Sequence, residues 1–380
     1  MNRDSATSQN KTWKIISKVA CWCLLALLGS SSQSAARYPA HDQVALSQPL
    51  VVKWRYQSDQ TSNLTPAADK TTVFLPLAGG TLIALNAADG KLLWRAEAGG
   101  ELSASPASDD RCVYAATKYS ETDPSHVHGT LRALSKATGV TLWMRTPLPA
   151  PLTGSLVAGE NALFAGSTDG RVYAFDKRTG LTIWINEYAE GFSSQPIVAG
   201  KSVYLGSVGG TMLALDQATG HLAWEYHTRG AIQGRVAVAN GVVYFGSGDA
   251  YVYAFSEQRK KLLWRRRTGA AVQSVAATEN GLLAASLDNF VYFLSLKKGA
   301  LVWRRQLPGR IPAPPVTGPD GVLFTPLSTD SAIVLNLRDG KPTNTLSLGE
   351  ENSSSAAPIA VENAVLIATS HGLLAFAAPQ

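Results

Sequence analysis

The chain is poor in cysteine and in charge. The first shortage argues against a disulfide-stabilised protein and the second against a protein of long exposed helices. Only three of its 380 residues are cysteine. Two of them, Cys21 and Cys23, lie in an N-terminal apolar run, so the rest of the chain cannot form an internal disulfide. Cys112 lies in a strand-like sequence, which predicts a buried, inert thiol. Charged residues make up 16% of the chain, which favours short strands over long exposed helices.

The first 36 residues have the three-part pattern of a secretory signal. Basic residues, an apolar run and small residues follow one another there. We predict a signal peptide at 1–36, a linker at 37–49 and export to the periplasm; an uncleaved N-terminal anchor is the alternative. Lipidation is disfavoured because Cys21 lies at the start of the apolar run rather than just after it. The segments of the pattern are Lys11, Lys14 and Lys18, then 19–28, then 29–36.

The net charge gives little support for nucleic-acid binding. The formal charge is +6, and removing residues 1–36 takes away four basic residues and one acidic residue, which leaves +3. The local exceptions are 265–267 and 304–305, which are runs of arginine. We interpret them as charges on solvated strand edges, which discourage edge-to-edge pairing. A site for an anionic partner is the alternative.

Tryptophan recurs about every 40 residues, usually after a Gly-containing turn. The steps between successive members of the series are 40, 49, 41, 40, 40 and 39 residues. A fixed period of this length indicates a repeat architecture. The series consists of Trp54, Trp94, Trp143, Trp184, Trp224, Trp264 and Trp303.

Each repeat divides into four short strand signals separated by Gly-containing turns, and a Pro usually precedes the second strand. The third strand occurs eight times, from 82–86 to 373–377. The chain starts with a lone fourth strand near 50–56 and finishes on a third strand. We therefore predict an all-β fold, an eight-bladed β-propeller at 50–380 made of four-stranded antiparallel blades and closed by the N-terminal outer strand.

The tryptophan rings are expected to cover the Gly-bearing turn beside them and to fill the wedges between blades. Asn344 stands at the tryptophan position of one repeat, which predicts the least well packed wedge there. The insertion at 118–130 predicts an exposed loop. Its Asp123, His126 and His128 form only a weak metal signal, since real sites bring together three or four ligands.

The repeats resemble those of the quinoprotein-type propeller family. ALDQATGHLAW at 214–224 and AFDKRTGLTIW at 174–184 match its Ala-Leu-Asp-x-x-Thr-Gly-x-x-x-Trp pattern, and the resemblance covers 50–380. One branch contains dehydrogenases that bind pyrroloquinoline quinone and calcium, with an Asp base and often an adjacent cysteine pair. After residue 36 the chain has no such cysteine pair. We can name no carboxylate set for such a site.

The chain also resembles the BamB-type periplasmic propellers of the outer-membrane β-barrel assembly machinery. That resemblance implies a non-enzymatic scaffold without a cofactor, whose partners are the barrel insertase and its clients. The partner-binding motifs of that branch are absent at 144–151 and 190–196, so no binding residue is carried over. A quinone-dependent dehydrogenase or a ligand-binding sensor is the alternative function.

The loops that enter the first strands are expected to line one mouth of the ring. Arg and Gln side chains there could bind acidic or backbone groups of a partner. The alternative is that they only satisfy hydrogen bonds between blades. The candidate contact residues are Arg229, Gln233, Arg235, Gln273 and Arg310.

Overall fold

In the computed structural model, residues 44–60, 63–120 and 127–379 are described. The predicted signal peptide and the first part of the predicted linker lie outside these residues. Within the described ranges, no helix is long and apolar enough to cross a membrane.

The described residues form eight antiparallel sheets, which confirms the predicted eight-bladed propeller. Seven sheets have four strands; in the other, two short strands share the first-strand position. The strands in chain order are β1 (Val51–Gln57), β2 (Ala67–Ala68), β3 (Thr72–Leu77), β4 (Thr81–Asn86), β5 (Leu92–Glu97), β6 (Glu101–Leu102), β7 (Ala107–Ser108), β8 (Cys112–Ser120), β9 (Val127–Ser135), β10 (Thr141–Leu148), β11 (Leu152–Ala158), β12 (Ala162–Ser167), β13 (Arg171–Asp176), β14 (Thr182–Glu187), β15 (Ile197–Ala199), β16 (Ser202–Gly206), β17 (Thr211–Asp216), β18 (Leu222–His227), β19 (Ala237–Ala239), β20 (Val242–Gly246), β21 (Tyr251–Ser256), β22 (Lys261–Arg267), β23 (Val272–Thr278), β24 (Gly281–Ser286), β25 (Phe290–Leu294), β26 (Leu301–Gln306), β27 (Val316–Thr317), β28 (Gly321–Phe324), β29 (Ser331–Asn336), β30 (Pro342–Ser347), β31 (Ile359–Val361), β32 (Ala364–Thr369) and β33 (Gly372–Ala377).

We number the blades along the chain: blade 1 is β2–β5, blade 2 is β6–β10, blade 3 is β11–β14 and blade 4 is β15–β18. Blades 5, 6 and 7 are β19–β22, β23–β26 and β27–β30. Blade 8 combines β31–β33 with β1, which pairs with β33 from Val51 opposite Ala377 to Gln57 opposite Gly372. The predicted closure of the ring by the N-terminal outer strand is therefore confirmed.

The antiparallel order gives the ring two different faces. In each blade the turn between the second and third strands lies at the same end as the connection to the next blade, and we call this end the mouth face. The turns between strands one and two, and between three and four, lie at the opposite end, the turn face. Residues in blade connections and residues in Thr-Gly turns therefore face opposite sides of the molecule.

The hydrophobic core is divided among the junctions between blades. Eight clusters of buried side chains each combine residues of two neighbouring blades. The second and third strands supply most of them because both faces of these strands are covered by neighbours. Cys112 is buried in the cluster between blades 2 and 3, and burial raises the pKa of its thiol. The predicted burial of Cys112 is therefore confirmed.

The repeat tryptophans join each blade to the next. The indole N–H of Trp143 donates to the Lys177 carbonyl in the next blade, 2.9 Å away. Its ring lies against Gly180, where φ is +69° and a Cβ would come within 2.5 Å of the indole, so glycine is required. The covered glycine thus belongs to the turn of the next blade. The same pairing recurs for Trp54 with Ala87 and Gly90, Trp94 with Lys136 and Gly139, Trp184 with Gln217 and Gly220, Trp264 with Leu296 and Gly299, and Trp303 with Leu337 and Gly340.

The junction between blades 4 and 5 departs from this pattern because Lys260 replaces the glycine. Lys260 has φ +48°, a conformation that costs a residue with a Cβ roughly 1–2 kcal/mol. The indole N–H of Trp224 is buried and has no hydrogen-bond partner among the described residues. Its ring stacks on Phe255 instead, with centroids 4.3 Å apart. One sequence change therefore accompanies both a strained turn and a lost hydrogen bond.

Residues 44–50 fill the seam where the repeat has Asn344 instead of tryptophan. Leu46 is completely buried with side chains of blades 7 and 8. The Asn344 amide donates to the Gln48 carbonyl at 2.8 Å, and the Leu46 N–H donates to Asp320 at 2.8 Å. Blade 8 has no turn between its third and fourth strands because these come from opposite ends of the chain. The segment leading into β1 takes its place, so the wedge expected to be poorly packed is filled.

Ion pairs also cross blade junctions. Lys177 of blade 3 lies 3.2 Å from Asp109 of blade 2, and Lys136 of blade 2 pairs with Asp69 of blade 1. Burial raises the pKa of Asp109, but hydrogen bonds to its carboxylate outweigh this and hold the pKa below its ordinary value. The pair is therefore charged at neutral pH, and its contribution to stability is lost as the pH falls through the lowered pKa.

Candidate functional site: the mouth face and central channel

The first strands of the blades line a central channel. It contains a cavity of about 670 Å³ bounded mainly by Ala, Val, Ile and Pro side chains, and a throat of about 170 Å³ at the mouth face. Two large polar side chains, Gln195 and Arg235, line both spaces. The repeat prolines that border the throat are Pro66, Pro106, Pro315 and Pro358.

Hydrogen bonds between neighbouring first strands hold the throat in shape. The Thr65 N–H donates to the Ser105 hydroxyl at 3.0 Å, and the Ala357 N–H donates to the Thr65 hydroxyl at 3.1 Å. The Ser105 N–H donates to the Gly154 carbonyl, and the Leu156 N–H donates to the Ser105 carbonyl, both at 3.0 Å. These bonds link blades 8, 1, 2 and 3, so this side of the throat is a fixed frame.

The connection between blades 4 and 5 presents Arg229 on a hydrogen-bonded turn. The Thr228 hydroxyl lies 2.7 Å from the Gly230 carbonyl oxygen, and the Ser247 hydroxyl lies 3.1 Å from the Thr228 hydroxyl. The Arg229 N–H donates to the Asp249 carboxylate at 3.1 Å. The backbone is thus held while the Arg229 side chain remains exposed.

The connection between blades 5 and 6 repeats this arrangement. The Thr268 hydroxyl lies 2.7 Å from the Ala270 carbonyl oxygen, and the Gly269 N–H donates to Asp288 at 2.8 Å. The Ser286 hydroxyl donates to the Ala270 carbonyl at 3.0 Å. Glycine stands here where the preceding connection has Arg229, so the two turns share a backbone frame and differ in the side chain they present.

A buried tyrosine supports the carboxylate in each of these turns. Tyr253 donates to Asp249 and Tyr292 donates to Asp288, each at 2.6 Å. Burial and the hydrogen bond to the carboxylate raise the pKa of both phenols. Both therefore remain protonated donors at neutral pH, and the two aspartates are held in place as parts of the frame.

All five predicted contact residues lie on the mouth-face side of their blades, but they differ in exposure. A Cβ on Gly234 would come within 1.5 Å of the Gln273 carbonyl oxygen, so the segment 233–235 lies directly against Gln273. The structure therefore brings three of the five to one junction. Arg229, Gln233 and Arg310 are exposed, Gln273 is half-buried, and Arg235 is half-buried at the throat.

Sequence reasoning missed two features of this face. Gln195 lines the throat, and its signal is its position directly before a repeat proline. The second feature is a Ser-x-Asp pattern at the end of the second strand, which holds the preceding blade connection at 247–249 and at 286–288. The same pattern occurs at 167–169, where Asp169 instead contacts Ser167 and Arg171 of its own blade.

The channel does not fit the calcium and quinone pair of the dehydrogenase branch. Among the described residues that line the cavity and throat, none is Asp or Glu. Calcium takes about six to eight oxygen ligands, commonly including carboxylates, and the guanidinium of Arg235 would repel it. No step of quinone chemistry can be assigned to these residues.

The weak metal signal of the sequence gains no support within the described ranges. There, no group of three or more His, Cys, Asp or Glu side chains could hold a metal ion. His128 lies in the extended hairpin of blade 2 beside Tyr119, with ring centroids 5.8 Å apart. Asp123 and His126 lie outside the described residues.

The repeats match a known family along nearly the whole ring. The family model described as outer membrane protein assembly factor BamB matches residues 51–146, 127–233 and 228–380. A curated relative, outer membrane protein assembly factor BamB of Shewanella oneidensis, is 33% identical over 127 residues. That match covers 32% of this chain and 29% of the relative, so it spans under a third of the relative's length.

Solved structures with the same fold differ widely in kind. BamB from Moraxella catarrhalis has a TM-score of 0.73 at 16% identity, over 87% of this chain and 98% of that one. The computationally designed Ika8 protein has 0.75 at 16%, over 86% and 99%. The quinohemoprotein alcohol dehydrogenase ADHIIG from Pseudomonas putida HK5 has 0.74 at 11%, over 90% and 78%. Identities this low show a shared fold and no more.

The family assignment rests on the sequence of the repeats, since the fold is shared by all three of these structures. The family model covers every blade, including the strand that closes the ring. The chain therefore belongs to the family of the outer membrane protein assembly factor BamB, as the resemblance of its repeats predicted.

Proposed function

We propose that the protein is a non-enzymatic periplasmic scaffold that binds the outer-membrane barrel insertase and its clients during barrel assembly. The family match over residues 51–380 is the observation that carries this proposal. The fold suits the role because tryptophan contacts and inter-blade clusters make a stiff ring. A stiff ring loses little conformational entropy when a partner binds.

The mouth face is the proposed binding face. The connections between blades 4 and 5 and between blades 5 and 6 are held by the Thr, Ser and Asp hydrogen bonds described above, so the side chains exposed there are presented on a fixed backbone. Arg229, Gln233 and Arg310 offer guanidinium and amide donors that can bind carboxylates or backbone carbonyls of a partner. Gln273 lies beside Gln233 and extends the same surface.

A triple alanine variant at Arg229, Gln233 and Arg310 should lose the partner while keeping the fold. Each side chain is exposed, so the variant should melt like the native protein. Capture of the insertase after gentle crosslinking in cells should fall about tenfold or more, because interface anchors typically cost over 1 kcal/mol each when truncated. The measurement is the amount of insertase recovered with the tagged protein.

The matched control changes two exposed cations on the turn face, Arg178→Ala and Lys201→Ala. It removes as many positive charges as the test variant does, and it should recover as much insertase as the native protein. Equal losses in both variants would argue against the mouth face as the binding face. Absence of the insertase from the native capture would argue against the assembly role. In a separate assay, reduction of a dye with added quinone, calcium and an alcohol would favour the alternative function, a quinone-dependent dehydrogenase.

A further inference from the structure

We propose that the outer edges of blades 5 and 6 form a docking surface for an anionic lipid bilayer. Their fourth strands and the turns before them carry eight exposed cations, which we name the basic edge. The proposal concerns a different surface from the mouth face and does not depend on the assembly role. The basic edge consists of Arg259, Lys260, Lys261, Arg265, Arg267, Lys297, Lys298 and Arg304.

The positive charge of the chain is concentrated in these two blades. Residues 257–306 contain ten basic and three acidic residues, a net charge of +7, whereas the whole chain has +6. The remainder therefore sums to −1. A field of one sign over such a small part of the surface attracts anionic partners over several ångströms.

The cations of the basic edge lack the acidic neighbours that occur on other blades. In blade 1, Arg95 pairs with Glu97 of the same outer strand at 3.1 Å, and in blade 3, Arg171 of the third strand pairs with Glu187 of the outer strand at 2.8 Å. None of the eight cations forms an ion pair with a carboxylate within the described parts of the chain. Their charge is therefore available to an external partner.

Two of the arginines are supported by aromatic rings. The Arg265 guanidinium lies 4.9 Å from the centre of the Tyr251 ring, and that of Arg304 lies 5.2 Å from the centre of the Phe290 ring. A cation over an aromatic face is stabilised there without being neutralised. Blades 1 and 4 have threonine at the position of these rings, so their outer strands lack this support.

Not every arginine of the two runs belongs to this surface. Arg305 donates its Nε–H to the Gly340 carbonyl of the next blade at 2.8 Å, as Arg145 does to Gly180 in blade 2. These side chains serve blade packing. Arg266 stands two residues after its tryptophan, as Arg305 does, and is half-buried. Arg265, Arg267 and Arg304 lie on the opposite face of their strands and are exposed.

The two strands form one continuous surface. The Trp264 indole of blade 5 packs on Gly299 and donates to the Leu296 carbonyl of blade 6. It therefore places Lys297 and Lys298 beside the outer strand of blade 5. Leu263, Leu301 and Val302 are exposed among the cations, by 38%, 39% and 55%.

A bilayer fits this surface better than an acidic protein does. The cations are spread along the outward edge over the length of a strand, about 20 Å, and do not converge on one point. A fluid layer of lipid phosphates can adapt to such a spread, whereas a protein partner needs a fixed complementary shape. Exposed leucine and valine among cations are typical of surfaces that enter the headgroup region.

Flotation with lipid vesicles tests the proposal. The full chain should bind vesicles of equal parts phosphatidylglycerol and phosphatidylcholine, and bind phosphatidylcholine alone far more weakly. The variant R265Q/R267Q/R304Q should bind the anionic vesicles roughly a hundredfold more weakly, from the usual contribution of a basic residue near an anionic surface. A second variant, K297Q/K298Q, lies in an exposed turn, so it tests the same surface without changing a strand. Its binding should fall at least tenfold.

The matched control is K53Q/R55Q/R95Q, which removes three cations from the outer strands of blades 8 and 1. It should bind within about threefold of the native chain, whereas equal loss in control and test variants would overturn the proposal. Equal native binding to both vesicle types would also overturn it, since the N-terminal apolar run could cause that. Native binding to polyglutamate but not to vesicles, lost in the test variants, would identify an acidic protein partner instead.

Discussion

Replacing Trp303 with alanine is expected to lower the free energy of unfolding by about 3–5 kcal/mol, the usual cost of removing a buried large aromatic ring. The Trp303 side chain is 9% exposed and packs on Gly340 of the next blade. Its ring also stacks on the Phe293 ring, with centroids 5.2 Å apart. Its N–H donates to the Leu337 carbonyl at 3.0 Å in a buried setting. Urea unfolding followed by circular dichroism measures the change.

A comparison with Trp224 separates the hydrogen bond from the packing. Trp303→Phe should cost about 1–3 kcal/mol more than Trp224→Phe, because only the first change leaves a buried carbonyl without its donor. Trp224 has no such bond to lose among the described residues. Equal costs for the two phenylalanine variants would contradict the view that these hydrogen bonds join the blades.

Replacing Leu46 with alanine is expected to cost about 2–5 kcal/mol. Leu46 is completely buried at the seam, and its segment leads directly into the strand that closes the ring. Val51→Ala is the matched control, since Val51 is 48% exposed at the start of that strand. The control should change the free energy of unfolding by no more than about 0.5 kcal/mol. Loss of the same stability in both variants would mean that Leu46 does not hold the seam.

Restoring the consensus tryptophan at Asn344 should destabilise the protein. The place is already filled by residues 44–50, whose carbonyls accept from the Asn344 amide, and overpacking costs about 1–3 kcal/mol. The cost should shrink in a Leu46→Ala background, because the smaller side chain frees space. Stabilisation of the native protein by Asn344→Trp would instead show that the wedge is open.

Most of the fold could be predicted because one period determines strand number, blade number and closure together. The predicted lone strand at 50–56 and the last third strand at 373–377 became β1 and β33, paired in the closing blade. The partner of each tryptophan could not be predicted, since the spacing is the same whether Trp143 covers the glycine of its own blade or of the next. The packing of Leu46 was also missed, because residues 44–50 lie outside the repeat.

The candidate site could be predicted only in part. The topology placed all five predicted residues on the mouth-face side, since blade connections must lie together at one end. It did not distinguish Arg235, which lines the throat, from the exposed Arg229 and Arg310. Exposure depends on how each connection folds, and for Arg229 that depends on hydrogen bonds with Ser247 and Asp249, which are distant in the sequence.

Because proteins of different function share this fold, the function of the chain has to be argued from the side chains of its loops and blade edges. A BamB, a designed protein and an alcohol dehydrogenase have nearly equal TM-scores to this chain, so blade geometry does not discriminate among them. The distinguishing features are a channel without carboxylates among its described lining residues, a mouth face with fixed connections and a basic outer edge. Each is a property of side chains that the repeat pattern does not prescribe.

Site-specific crosslinking from the two faces is the most direct test of the scaffold proposal. A photo-reactive residue would replace Gln233 on the mouth face in one strain and Lys201 on the turn face in another. Both positions are exposed, so neither change should affect folding. We expect the barrel insertase to be crosslinked from position 233 and not from position 201. Crosslinking from 201 alone, or no insertase from either position, would contradict the proposal.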